Sequence, residues 1–109
     1  MEVVITTRHG NIDGKIEELI RNKAEKISHF YEKINRVTIT IDLREAIADK
    51  IEIAVHVEHK HDIVASAENG EILSVFEAAL DRLKLQITRH KEKIQDHRRD
   101  PSHKDHSSV

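Results

Sequence analysis

No cysteine occurs among the 109 residues, which excludes a disulfide framework, a thiolate nucleophile and a thiolate metal site. Glycine is present only at 10, 14 and 70, so no glycine-rich loop can cradle a phosphate, and no nucleophile motif is present either. The single proline, Pro101, falls in a Ser/His/Asp-rich end that reads as a frayed tail. The only aromatic rings are Phe30, Tyr31 and Phe76. Proteins that read single-stranded bases stack them on exposed rings. Here all three rings lie on or beside apolar helical faces and are assigned to the core. No apolar run approaches the roughly 18 residues that cross a bilayer. The start, Met1-Glu2-Val3-Val4-Ile5, lacks the basic and apolar regions of a signal peptide. The expectation is a soluble, cytoplasmic, single-domain protein with no membrane partner.

What is abundant is charge, and it is unevenly placed. From Asp81 onward eight Lys/Arg stand against five acids, a net +3, whereas residues 1–80 carry ten basic and fifteen acidic side chains, a net −5. The formal total of −2 hides this asymmetry. A basic helix on an acidic body points to a directed electrostatic contact, most simply with phosphates. A solvated face with scattered ion pairs fits the charge count equally well.

Periodicity organises the chain. Residues 2–7 read as a β-branched strand. Asp13 is a candidate N-cap, and Ile16, Leu19, Ile20, Ala24, Ile27, Tyr31 and Ile34 recur at helical spacing, predicting one helix over about 13–33. Val37, Ile39, Ile41 and Leu43 alternate with polar residues, as do Ile51, Ile53, Val55 and Val57, which predicts two half-buried strands joined by a polar connection at 44–50. A turn at His59-Lys60-His61-Asp62 leads to a short strand at 63–67. Asn69 is a candidate cap for the last helix, whose stripe runs from Ile72 through Phe76, Leu83 and Ile87 to Ile94 and ends at about residue 96. The order β-α-β-β-β-α predicts an α+β two-layer sandwich. Its four-stranded sheet carries two helices on one face, as in double-stranded-RNA-binding domains, with the first two strands parallel and the rest an antiparallel meander. Residues 1–97 form the expected domain and 98–109 a flexible tail.

At 100° per residue, Arg82, Arg89 and Lys93 fall on one flank of the last helix with Gln86 between them. Lys84, Lys91 and Arg98 fall on the other flank, and Arg99 adds charge at the end. Leu85 points almost directly away from the core. The histidines invite a metal reading, above all His56, His59 and His61, but no third ligand is coherent in sequence, and zinc normally takes three or four. Glu17/Glu18 and Glu68/Glu71 read as helix-start acids. No metal, cofactor or small-molecule substrate is expected, and the reading is a non-enzyme.

Several stretches, in order, resemble one family. These are Ile5-Thr6, Lys23-Ala24-Glu25-Lys26-Ile27, Tyr31-Glu32-Lys33-Ile34-Asn35-Arg36-Val37, Ala65-Ser66-Ala67-Glu68, and Asp81-Arg82-Leu83 with Gln86 through Ile94. Together they are similar to the bacterial ribosome hibernation-promoting factors and the related ribosome-associated inhibitor, also known as sigma-54 modulation proteins, over about residues 1–97. The resemblance implies a β-α-β-β-β-α fold. It also implies binding to the small ribosomal subunit and its ribosomal RNA at the subunit interface, in the channel of mRNA and A- and P-site tRNA, which stops translation in stress or stationary phase. The basic positions it carries over are Lys23, Lys26, Arg82, Arg89, Lys91 and Lys93; Lys84, Arg98 and Arg99 are added from charge alone. Off the ribosome a monomer is expected.

Two departures stand out. The family commonly opens its last helix with Asp-(Leu/Met)-Tyr-Ala-Ala-Ile-Asp, where this chain has Glu71-Ile72-Leu73-Ser74-Val75-Phe76-Glu77. The family also often carries Arg at the position of Leu85. The end at Val109 resembles the short forms. Two other readings stay open at this point: a module for structured or double-stranded RNA acting off the ribosome, and a protein-interaction adaptor using Leu85.

Overall fold

The computed structural model describes the backbone of residues 1–98 and the side chains of residues 1–92. Strand β1 (Glu2–Arg8) leads to helix α1 (Gly14–Glu25) and a short helix α2 (Ile27–Phe30). Strands β2 (Ile34–Arg44), β3 (Ile47–Val57) and β4 (Ile63–Gly70) follow, and helix α3 (Ile72–Arg98) closes the described chain. The four strands form one mixed sheet in the order β1-β2-β3-β4. β1 pairs parallel with β2, Ile5 opposite Ile39, and the other two pairings are antiparallel. This is the α+β order and strand pairing that the alternating and helical periods predict.

The alternation places Ile39 and Ile41 of β2, Ile51, Ile53 and Val55 of β3, and Ala65 of β4 on one buried face. Ile20 and Ile27 from the α1–α2 segment and Phe76, Leu83 and Ile87 from α3 complete the core. The other face carries Thr38, Thr40, Glu52 and Ser66. Each fully buried Ile, Leu or Phe contributes about 1.5–3 kcal/mol of transfer free energy, so this one core is the main source of stability.

Four local details differ from the sequence expectation. The first helix is not continuous to residue 33. It breaks at Lys26, where the Ser28 hydroxyl donates to the Glu25 carbonyl at 2.8 Å and the His29 N–H reaches Lys26 O at 3.1 Å. A serine that bonds a nearby carbonyl competes with the helical ladder, and a shorter i to i+3 bond tightens the turn. Leu19, counted in the apolar stripe, is 46% exposed.

The polar connection at 44–50 is mostly strand. β2 and β3 are joined by Glu45 and Ala46 alone, with φ of 49° and 70°. A register shift lies between the Asp42–Lys50 and Leu43–Ala48 pairs, leaving Asp49 as the extra residue of a bulge. That bulge returns Ala48 to the buried face three residues before Ile51 and breaks the strict alternation that marks a strand in sequence. Finally, Asn69 does not cap α3. It sits in β4 with φ 60°, and its side-chain oxygen accepts from Arg44 at 3.4 Å. Glu71 takes the capping role instead: its Oε1 accepts from the Ser74 backbone N–H at 3.1 Å and the Ser74 hydroxyl at 3.0 Å. Asp13 does cap α1, accepting from the Lys15 N–H at 2.8 Å.

Candidate functional site

Both helices turn cations to solvent, and the packing of α3 decides where each row goes. Its core stripe rests on β3 and β4, so one flank overhangs the free edge of β4 and the other faces α1 and α2. On the first flank, Arg82 Nη1 donates to the Ser66 carbonyl at 2.6 Å and Gln86 Nε2 to the Val64 carbonyl at 2.8 Å. These two side chains satisfy edge carbonyls that a neighbouring strand would otherwise seek. Arg21 does the same at the opposite edge, donating to the Val3 carbonyl of β1 at 2.9 Å. Arg89, on the Arg82 side, is exposed.

On the second flank, Lys91 Nζ donates to the Phe30 carbonyl at 3.0 Å and lies 5.4 Å from the Phe30 ring centroid. A cation there satisfies the last carbonyl of α2 and rests on a ring face. Lys23 reaches across from α1 to Glu77 Oε2 of α3 at 3.0 Å. This pair ties the two helices together, although at roughly 40–50% exposure it adds only about 0–1 kcal/mol.

Between the helices lies an open cleft of about 490 Å³. Lys23, Lys26, His29 and Phe30 form one wall and Glu77, Asp81 and Lys84 the other, with Ile27 and Leu80 beneath. The chain break at Lys26 shapes the site. With α1 ended at Glu25, Lys26 stands at the rim while Ile27 turns inward and is 1% exposed.

The structure therefore sorts the sequence candidates. Lys23, Lys26 and Lys84 are brought to one cleft. Arg82 faces the β4 edge and Lys91 the end of α2, and Arg89 stands away from the cleft. The side chains of Lys93 and Arg98, and Arg99 altogether, lie outside the described residues. The expected tail at 98–109 also lies outside them, apart from the backbone of Arg98.

Sequence reasoning missed Phe30, His29, Glu77 and Asp81 as cleft residues. Glu77, Asp81 and Lys84 do stand at i, i+4 and i+7 on one helix flank, a spacing visible in the sequence. What it could not supply was the neighbour that this flank faces. Of the histidine cluster, His56 pairs with Asp62 at 3.0 Å and with the Thr38 hydroxyl at 3.2 Å, and His59 with Glu58 at 3.3 Å. Among the described residues no group of three or more His, Cys, Asp or Glu is gathered to hold a metal. Among them, too, no helix is long and apolar enough to cross a membrane.

Comparison with known proteins places this geometry among relatives. Residues 3–95 match the family model described as sigma 54 modulation protein / S30EA ribosomal protein. The chain is 29% identical over 97 residues to the ribosome hibernation promoting factor of Salmonella typhimurium, covering 89% of this chain and 100% of the relative. It is 25% identical over 95 residues to the protein of the same name from Pseudomonas putida, covering 87% and 91%. In fold it is similar to a ribosomal subunit interface protein from Coxiella burnetii, with a TM-score of 0.74, 18% identity and coverage of 84% and 99%. The N-terminal domain of Protein Y from Thermus thermophilus aligns with a TM-score of 0.69, 19% identity and coverage of 83% and 99%.

Proposed function

Because the chain belongs to the sigma 54 modulation protein / S30EA ribosomal protein family, we propose that it is a ribosome hibernation factor that docks on the small ribosomal subunit at the subunit interface. There it occupies the mRNA channel and the A and P tRNA sites and halts translation by exclusion, in stress or stationary phase. Residues 1–97 are the ribosome-binding unit in this reading, and the compartment is the cytoplasm, where ribosomes work. The action needs no chemical step and no cofactor.

The observation that carries the reading is the collinear match over residues 3–95, which includes both walls of the cationic cleft. The contacts we assign to ribosomal RNA are Lys26 and Lys84 at the cleft and Arg89 on the other flank of α3, and we add Lys93, Arg98 and Arg99 from their charge and place in the sequence alone. Lys23, Arg82 and Lys91 serve the RNA through atoms left over from their internal bonds. A guanidinium has five N–H donors and an ammonium three, so one internal bond does not exhaust either. We read the sheet backed by a helix pair as suited to recognise RNA by shape, as double-stranded-RNA-binding domains do.

Co-sedimentation with ribosomes on sucrose gradients tests this. The protein should travel with the small subunit and the whole ribosome at low salt and be released as salt rises, because each phosphate contact gives back about one counterion. Protein left at the top of the gradient at every salt concentration would end the reading.

A further inference from the structure

The two edges of the sheet are finished differently. On β4 the core-facing Ile63, Ala65 and Ala67 are buried, and Arg82 and Gln86 take the carbonyls of Ser66 and Val64. On β1 the core-facing Val3 and Ile5 are only partly buried, and no residue of the strand is fully so. Edge strands are commonly guarded by charges along their length, by proline or by a bulge. β1 has none of these. Its register with β2 is unbroken from Glu2 to Arg8, and its only charges are those two end residues. Among the described residues neither of them has an ion-pair partner. The one guard is Arg21, which donates to the Val3 carbonyl at 2.9 Å. Within a parallel pair the N–H and C=O of one residue point to the same side. Val3 therefore turns both groups to the free edge, and alternation along the strand makes Ile5 and Thr7 do the same.

The strand is complementary to itself. A second copy of Glu2-Val3-Val4-Ile5-Thr6-Thr7-Arg8, turned antiparallel about Ile5, sets Glu2 opposite the partner's Arg8, and by symmetry this happens twice. Val3 then meets the partner's Thr7, and Val4 the partner's Thr6. Opposite charges directly across, with β-branched residues between them, are favourable cross-strand contacts. A two-fold axis at Ile5 exchanges its N–H and C=O with those of the other copy. It also matches Val3 to Thr7, so the outward groups of all three residues find partners. A carbonyl oxygen has two lone pairs, so Arg21 keeps its bond to Val3. We propose that β1 is a self-pairing edge, along which two copies of this chain join antiparallel and merge their four-stranded sheets into one. A single strand pair is a small interface, below roughly 1,200 Å². The association is accordingly weak and reversible, and the chain is single when dilute. None of the cleft residues takes part, so the pair stands apart from the ribosome reading.

Sedimentation equilibrium of the full chain tests this. The average mass should rise from one chain toward two between about 10 μM and about 1 mM, the range of a weak pair. Glu2→Arg places like charges opposite each other at both ends of the strand pair and should weaken association about tenfold; Arg8→Glu should do the same. Mixing the two variants sets opposite charges across both ends again and should restore pairing. Both positions are exposed, and circular dichroism verifies the fold of each variant. Amide exchange at Val3, Ile5 and Thr7 should slow as concentration rises. A chain that stays single at about 1 mM, where even weak pairs form, overturns the proposal. So does a pair that neither substitution weakens, a mixture that associates no better than its parts, or exchange that slows along β4 instead of β1.

Discussion

At the scale of single residues, charge and role separate. Arg82 looks from the sequence like one more phosphate contact, yet its guanidinium seals the edge of β4 together with Gln86. Replacing both, Arg82→Ala with Gln86→Ala, should lower stability by about 1–2 kcal/mol, since each exposed hydrogen bond is worth about 1 kcal/mol or less. It should also open the edge to strand pairing between copies. Thermal melts and light scattering check both effects, and a double variant that melts like the wild type would remove the clasp from the account.

Glu71 gives a pH prediction. The Ser74 backbone N–H, then the Ser74 hydroxyl, then the Leu73 backbone N–H hold its carboxyl below the ordinary glutamate value. A lowered folded value means that this stabilisation is complete above the ordinary glutamate value and is lost as pH falls through the lowered one. Glu71→Gln should therefore remove part of the acid-side loss of stability. Denaturant titrations at pH 7 and at steps down to about pH 3 should show wild type and variant converging at the acid end.

At the scale of elements, period and local chemistry compete. The strands were legible wherever alternation ran unbroken, as from Val37 to Leu43 and from Ile51 to Val57. They were hidden where a bulge reset the alternation, as at Asp49. The break between α1 and α2 was hidden because the apolar stripe runs straight through it. The signal was Ser28, a residue whose hydroxyl can take a backbone carbonyl. Asn69 offered the commoner cap chemistry, but β4 continues through it to Gly70, which leaves Glu71, the residue just before α3, as the cap.

The hairpin between β2 and β3 is built against local preference. Glu45 and Ala46 both adopt left-handed backbone, a conformation that costs most L-residues about 1–2 kcal/mol each. Glu45→Asn with Ala46→Gly supplies the pair that favours a two-residue hairpin turn. It should raise stability by about 1 kcal/mol or more, read as a higher melting temperature with unchanged ribosome retention.

At the scale of the whole molecule, charge matters by location. The chain is net negative, yet the α1–α2 wall and α3 bring Lys23, Lys26 and Lys84 to one cleft, where Glu77 is already paired with Lys23 and Asp81 stands beside them. Lys26→Glu with Lys84→Glu should sharply reduce ribosome retention. The milder pair Lys26→Ala with Lys84→Ala should lower the slope of log affinity against log salt by roughly two. Both lysines are exposed, so stability should move by no more than about 0.5 kcal/mol for each change. Circular dichroism beside the gradients separates lost contacts from lost fold. Full retention by the folded Lys26→Glu/Lys84→Glu variant would move the RNA contact to the Arg89 row.

The sequence by itself determined the layers, the parallel first pair and the antiparallel remainder, because side-chain period follows directly from backbone geometry and a one-faced strand needs a cover on that face only. It also determined the two flanks of α3, since helical angle is a property of spacing. Only the tertiary structure decided what each flank meets: β4 carbonyls for Arg82 and Gln86, the end of α2 for Lys91, and a shared cleft for Lys23, Lys26, Glu77, Asp81 and Lys84. Those meetings join residues some 16 to 61 positions apart in the chain. They depend on how the helices pack over the sheet, which no local period records.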